Sequence, residues 1–165
     1  MKRRYRVSVL DDCERKISIT GDMFPIEVVN SEDGYVSFEL YSNVSLQKNN
    51  ILFEEREEEI YFTLWKDIPR AKGNIRSIIE DFILAFISAV FSIRGCMRAI
   101  IPGNHDFIIC HKKFTCRYEF QERTFKVIYW DNGKRITKFF TGNFKKIRVG
   151  DEQVKITFED RVEII

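Results

Sequence analysis

Residues 124–140 read TFKVIYWDNGKRITKFF, and the Asn132-Gly133 pair at their centre decides the fold class. Asn-Gly supplies the two positive-φ residues of a two-residue type I′ turn. The runs on either side, 124–130 and 135–140, are rich in aromatic and β-branched residues, as strands are. Alternation sets Phe125, Val127 and Tyr129 on one face and Lys126 on the other. The segment therefore reads as an antiparallel hairpin with one face toward a core. Trp130 and one of Phe139 and Phe140 are the aromatics expected outside.

The same pattern continues in both directions. Before Pro69, apolar runs at 4–10, 15–20, 24–30, 35–41, 50–55 and 60–65 are separated by turn residues such as Gly21-Asp22 and Glu32-Asp33-Gly34. After Gly95 the runs fall at 97–101, 107–111, 115–121, 124–130, 135–140, 145–149, 154–158 and 161–165. Turn signals spaced 8–12 residues apart predict antiparallel meanders. Composition agrees: aromatics make up 14% of the 165 residues, with 15 Phe and four Ala, which suits sheets and not helices.

Between the two sets of strands lies one helical pattern, 75–94, with Asn74 as N-cap and Gly95 at the C′ position. Arg76 and Glu80 give its first turns a wet face, and residues 82–93 carry no charge. Twelve uncharged residues make a helix of about 18 Å, too short to span a bilayer core. The expected fold is mainly β (all-β or α+β). It is one domain over 1–165, with an N-terminal meander at 1–69, a largely buried helix at 74–95 and a C-terminal meander at 96–165. So many strands must split into a sandwich or close into a barrel. The second arrangement resembles the tubby-like barrels, which wrap antiparallel strands around one apolar helix. There the helix ends the chain, whereas here it is central, and the resemblance carries over no residue or activity.

Four groups of residues bear on chemistry. Gly103-Asn104-His105-Asp106 resembles the GNHD block of calcineurin-like metallophosphoesterases, in which Asn and His serve a dinuclear metal site. That family's D-x-H and G-D-x-x-D blocks and later His ligands have no counterpart here, and His105 and His111 are the chain's only histidines. The motif reads as a turn before a strand. His105, Cys110, His111 and Cys116 are four potential metal ligands within 12 residues, but their spacing is not that of a zinc finger. A two-residue turn at Lys112-Lys113 leaves Cys110 and Cys116 on opposite faces, and a three-residue turn brings them together.

The third group lies in the segment 112–148, with 11 basic residues against three acidic ones. They are Lys112, Lys113, Arg117, Arg123, Lys126, Lys134, Arg135, Lys138, Lys145, Lys146 and Arg148. Basic strands with exposed aromatics such as Trp130 suit single-stranded nucleic acid; alternation instead reads the same cations as a solvated face. The fourth is the run Glu54-Glu55-Arg56-Glu57-Glu58-Glu59, a solvated hairpin end without calcium-loop spacing.

Net charge is +2, from 27 basic and 25 acidic residues. The halves differ: residues 1–69 carry net −5 and residues 70–165 net +7. The apolar stretch behind the basic N-terminus is too short for a signal peptide. Cys13, Cys96, Cys110 and Cys116 read as free thiols of a cytoplasmic protein. The chain lacks G-x-S-x-G, Walker A and G-x-G-x-x-G motifs. The expected function is therefore non-catalytic, without cofactor: a protein–protein interaction module of inhibitor, immunity or assembly type. Its partner is another protein or a second copy met through the opposite-charge halves, and not a membrane. The alternative is a nucleic acid or phosphorylated small ligand held by 112–148.

Overall fold

Alternating apolar runs closed by short polar turns produce strands nearly wherever they occur. The computed structural model describes residues 3–10, 15–43, 51–64 and 94–165. Among them fourteen strands form. The first six are β1 (Arg3–Leu10), β2 (Lys16–Gly21), β3 (Ile26–Ser31), β4 (Tyr35–Ser42), β5 (Ile51–Glu55) and β6 (Glu59–Leu64). The next four are β7 (Gly95–Pro102), β8 (Phe107–His111), β9 (Phe114–Glu119) and β10 (Thr124–Asp131). The last four are β11 (Lys134–Thr141), β12 (Phe144–Val149), β13 (Val154–Phe158) and β14 (Val162–Ile164). The Asn-Gly hairpin forms as read. Asn132 and Gly133 have φ of 49° and 76°, and β10 pairs with β11 from Thr124↔Thr141 to Asp131↔Lys134.

The strands make two seven-stranded sheets. Sheet I has the order β1-β4-β7-β3-β12-β13-β14, and sheet II the order β11-β10-β9-β8-β2-β6-β5. This corrects the expectation of two antiparallel meanders. Both sheets are mixed, with β3 parallel to β7 and β2 parallel to both β6 and β8. Strands of the N-terminal half lie in both sheets, and β7 is inserted between the neighbours β3 and β4. Among the described residues only β8–β11 and β12–β14 are sequential meanders. Alternation specifies which face of a strand is buried, not which strand lies beside it, so the insertions left no local signal. Among the described residues the sheets end at β1 and β14 in one and at β11 and β5 in the other, and no closed barrel forms. The helix read at 75–94 lies outside the described residues apart from its last position. Gly95, read as the helix C′ residue, opens β7. Among the described residues, no helix is long and apolar enough to cross a membrane.

Rings from the two sheets meet in one core. Phe38 of β4 stacks on Phe62 of β6 with centroids 4.7 Å apart. Phe144 of β12 meets Phe107, Tyr118 and Phe125 of sheet II at 4.7–5.5 Å. Each buried Phe contributes about 1.5–3 kcal/mol, and each well-set aromatic pair about 0.5–1.5 kcal/mol more.

Gly95 is required by close approach. A Cβ there would lie 2.6 Å from the Tyr41 carbonyl oxygen and 2.7 Å from the Phe24 ring. A strand backbone cannot yield cheaply, so Gly95→Ala is expected to cost about 1–3 kcal/mol through overpacking. Thermal unfolding of the variant measures this, and an unchanged midpoint would contradict it.

Candidate functional site

The β10–β11 hairpin forms one edge of sheet II and turns two large aromatics outward. Trp130 is 59% exposed and Phe139 is 64% exposed. Register places each beside a cation on the outer face. Trp130 opposes Arg135 and Phe139 opposes Lys126, whose Nζ lies 5.7 Å from the Phe139 ring centroid. Lys126 also neighbours Arg117 of β9, and Arg117 pairs with Glu119 at 3.2 Å. On the inner side, Phe125 and Val127 are buried, and Lys138 reaches over the Tyr129 ring at 6.0 Å. The hairpin carries Lys126, Lys134, Arg135 and Lys138 against Asp131 alone, net +3. Among the described residues it is a basic, aromatic sheet edge with no strand beyond β11.

The other basic residues of 112–148 lie elsewhere. Lys112 and Lys113 form the β8–β9 turn. Lys112 pairs with Asp151, and Lys113 with Glu152 at 3.2 Å. Asp151 and Glu152 lie in the β12–β13 turn of sheet I, so the four residues clasp the two sheets together. The Lys112 amide also donates to Asp22 Oδ1 at 2.9 Å. Lys146 and Arg148 lie on the outer face of sheet I, Lys146 bound to Glu27 at 2.7 Å and Arg148 opposite Glu27 in register. Lys145 is exposed beside a bulge at the start of β12. The structure thus brings together Arg117, Lys126, Trp130 and Arg135 on one face of the sheet, and leaves Lys134 and Lys138 on the same hairpin but on its other face. It does not bring Lys112, Lys113, Lys145, Lys146 or Arg148 to them.

His105, Cys110, His111 and Cys116 do not converge. Register pairs Ile109 with Cys116 and Cys110 with Thr115, so the β8–β9 turn has two residues and the thiols face opposite ways. Burial pushes the Cys110 thiol up, and pushes the core thiol of Cys116 far above the ordinary range. Neither favours the thiolate that metals bind. His111 is buried, with Nδ1 against the Gly21 carbonyl oxygen and Nε2 3.0 Å from Asp151 Oδ1. The hydrogen bond from Lys112 holds the Asp151 carboxyl below its usual range, opposed by burial and helped by His111. His105 is buried, with Nδ1 at 2.8 Å from Asn104 Oδ1. Asp106 accepts the Phe120 amide at 2.8 Å. The GNHD residues therefore brace a turn. Asn104 and Asp106 line a cavity of about 280 Å³ with residues 119–122. Among the described residues, no group of three or more His, Cys, Asp or Glu is placed to hold a metal ion.

Two polar networks have no sequence motif. On sheet I, register aligns Arg6, Glu39, Arg98, Glu27, Arg148 and Lys155 in one row across five strands and the edge strand β1. On sheet II, Ser18 and Tyr61 both donate to Glu59. Each network joins residues far apart in sequence, so only the strand order reveals it. No protein-family model, curated protein or solved structure matches the chain.

Proposed function

We propose that the protein is a non-catalytic protein-interaction module of inhibitor, immunity or assembly type. On this reading it is a single-domain, cytoplasmic β-sandwich that docks its partner through the β10–β11 hairpin. The carrying observation is the exposure of Phe139 on β11, the terminal strand of sheet II among the described residues, and of Trp130 on β10 beside it. Large aromatics are the anchors of protein interfaces, and an open edge offers backbone groups to an added strand. The cations around them favour a partner with acidic chemistry. The non-catalytic reading is supported by the bracing role of Asn104, His105 and Asp106. The cytoplasmic reading is supported by Cys96, Cys110 and Cys116 as free thiols.

A nucleic-acid reading has one observation in its favour: both exposed rings lie beside a cation on one face, as stacked bases require. Against it, Lys112, Lys113 and Lys146 are engaged with carboxylates away from the hairpin. Capture experiments with Trp130→Ala separate the readings. The interaction module is expected to lose its protein partner by about 2 kcal/mol, roughly 30-fold. Retention of the partner at wild-type strength would count against the hairpin. Capture only of single-stranded nucleic acid, falling steeply with salt, would favour the alternative.

A further inference from the structure

The outer face of sheet I gathers four cations around one buried acid. Register sets Glu27 of β3 between Arg98 of β7 and Arg148 of β12, with Lys155 of β13 beyond Arg148. Lys146 stands two residues before Arg148 on the same face of β12. Glu27 fixes two of the four. Nε and Nη2 of Arg98 reach its Oε1 at 2.9 Å and 2.8 Å, and Lys146 Nζ reaches its Oε2 at 2.7 Å. Both side chains are still 42% exposed, and their other N–H donors remain for a further acceptor. Arg148 and Lys155 face each other directly across β12 and β13, both exposed. Like charges so placed are destabilising. The acids nearest in the chain are used elsewhere: Asp151 and Glu152 pair with Lys112 and Lys113, and Glu163 with Arg161. The cluster therefore carries net +3, and Arg6 and Glu39 further along the row cancel each other. The Cys96 thiol, two residues before Arg98 on the same face, marks where the cations converge. Burial and Glu27 push it up, and Arg148, Arg98 and Lys146 all act against them.

We propose that this cluster is an anion site for the phosphate group of a phosphorylated ligand, with Arg98, Lys146 and Arg148 on its oxygens and Lys155 as the neighbouring charge. It lies on the other sheet from the β10–β11 hairpin and does not depend on that reading. A phosphate monoester brings a charge near −2 and three strong acceptor oxygens, which a cluster of this charge suits better than a single carboxylate does. Guanidinium groups offer phosphate paired donors, and the ammonium adds a point charge. Glu27 is a positioning residue: it holds Arg98 and Lys146 in place before the ligand arrives, so less side-chain freedom is lost on binding. The face is open, so the site meets the phosphate and little else, and binding of phosphate alone is weak. Neighbouring strands lie about 5 Å apart, which leaves Lys155 to meet a second phosphate beside the first. Lys146 and Arg148 belong to the basic segment 112–148, but Arg98 and Lys155 come from outside it, and only the strand order joins them.

Amide chemical-shift titrations of the full chain with inorganic phosphate and with pyrophosphate test this, with ionic strength held constant by chloride. Saturating shifts are expected along β7, β12 and β13. Pyrophosphate is expected to bind about tenfold more tightly than phosphate, through its added charge-assisted contact. Arg148→Gln with Lys155→Gln alters two exposed side chains, and the same spectra show that it is folded. It is expected to weaken pyrophosphate by about tenfold or more. Arg135→Gln with Lys138→Gln on the hairpin is expected to leave the affinity unchanged. Phosphatidylcholine vesicles containing phosphatidic acid, whose headgroup is a phosphate monoester, separate the two sources of this chemistry. Capture that pyrophosphate competes away assigns the site to a lipid headgroup, and indifference to the vesicles assigns it to a soluble ligand; either keeps the site. Shifts that never saturate, or that chloride reproduces, are general screening and overturn the proposal. Wild-type affinity in the Arg148, Lys155 variant, or saturating shifts confined to the hairpin, overturn it as well.

Discussion

Phe144→Ala is expected to destabilise the protein by about 3–5 kcal/mol, a large share of the stability of a domain this size. Phe144 opens β12 in sheet I and is 2% exposed. Its ring lies 4.7 Å from Tyr118, 5.2 Å from Phe125 and 5.5 Å from Phe107, all in sheet II. Its geometry to Phe125 is edge-on, at 87°, which aromatic quadrupoles favour. Truncation removes the transfer energy of one ring and leaves a void between two hydrogen-bonded sheets, which collapse poorly. Urea unfolding monitored by tryptophan fluorescence gives the cost. Phe139→Ala is the control: it removes the same side chain from an exposed position and is expected to change stability by less than about 0.5 kcal/mol. Equal effects of the two substitutions would mean that the sheets are not held through Phe144.

The hairpin that decided the fold class was readable because everything it needs is local. Asn132 and Gly133 set the turn, the alternation of Phe125, Val127 and Tyr129 sets the buried face, and Trp130 follows on the other face. The exposure of Phe139 was narrowed to one of two residues by the same alternation. The position of β2 was not readable. Its alternating Ile17 and Ile19 are buried in the structure, yet nothing in the strand says that β6 and β8 flank it in parallel. That choice is made by packing between segments about 40 and 90 residues away. The basic segment 112–148 failed as one surface for the same reason. Its cations follow one another in sequence, but β12 crosses to sheet I after β11 and takes Lys146 and Arg148 with it. The charge difference between the halves is redistributed by the strand order. Sheet II runs from C-terminal strands at β11 to N-terminal strands at β5, so the asymmetry becomes a difference between two edges.

Glu27 shows what strand order creates that sequence cannot display, and it gives the second large effect. By alternation Glu27 belongs to the outer face of β3, where a glutamate is ordinarily solvated. It is instead 4% exposed, with Arg98 at 2.8 Å and Lys146 at 2.7 Å from β7 and β12 on either side. Burial pushes its carboxyl up; the hydrogen bonds from Lys146 and Arg98, and their charges, outweigh burial and hold it below the ordinary range. A carboxyl more acidic in the folded chain than in the unfolded one stabilises the fold while both are ionised, above the unfolded value. That stability is lost as pH falls through the unfolded value and on past the folded one. Glu27→Gln is expected to cost about 2 kcal/mol near neutral pH, because it leaves Arg98, Lys146 and Arg148 adjacent without their counter-charge. Water reaching the half-exposed cations keeps the cost below that of a fully buried pair. The gap between wild type and Glu27→Gln in unfolding free energy should therefore be widest at neutral pH and close below about pH 4. The Asp151 carboxyl titrates in the same direction but is half-exposed, and it is present in both proteins, so the difference isolates Glu27. A gap that stays constant from neutral to acid pH would show that Glu27 acts through packing and not through charge.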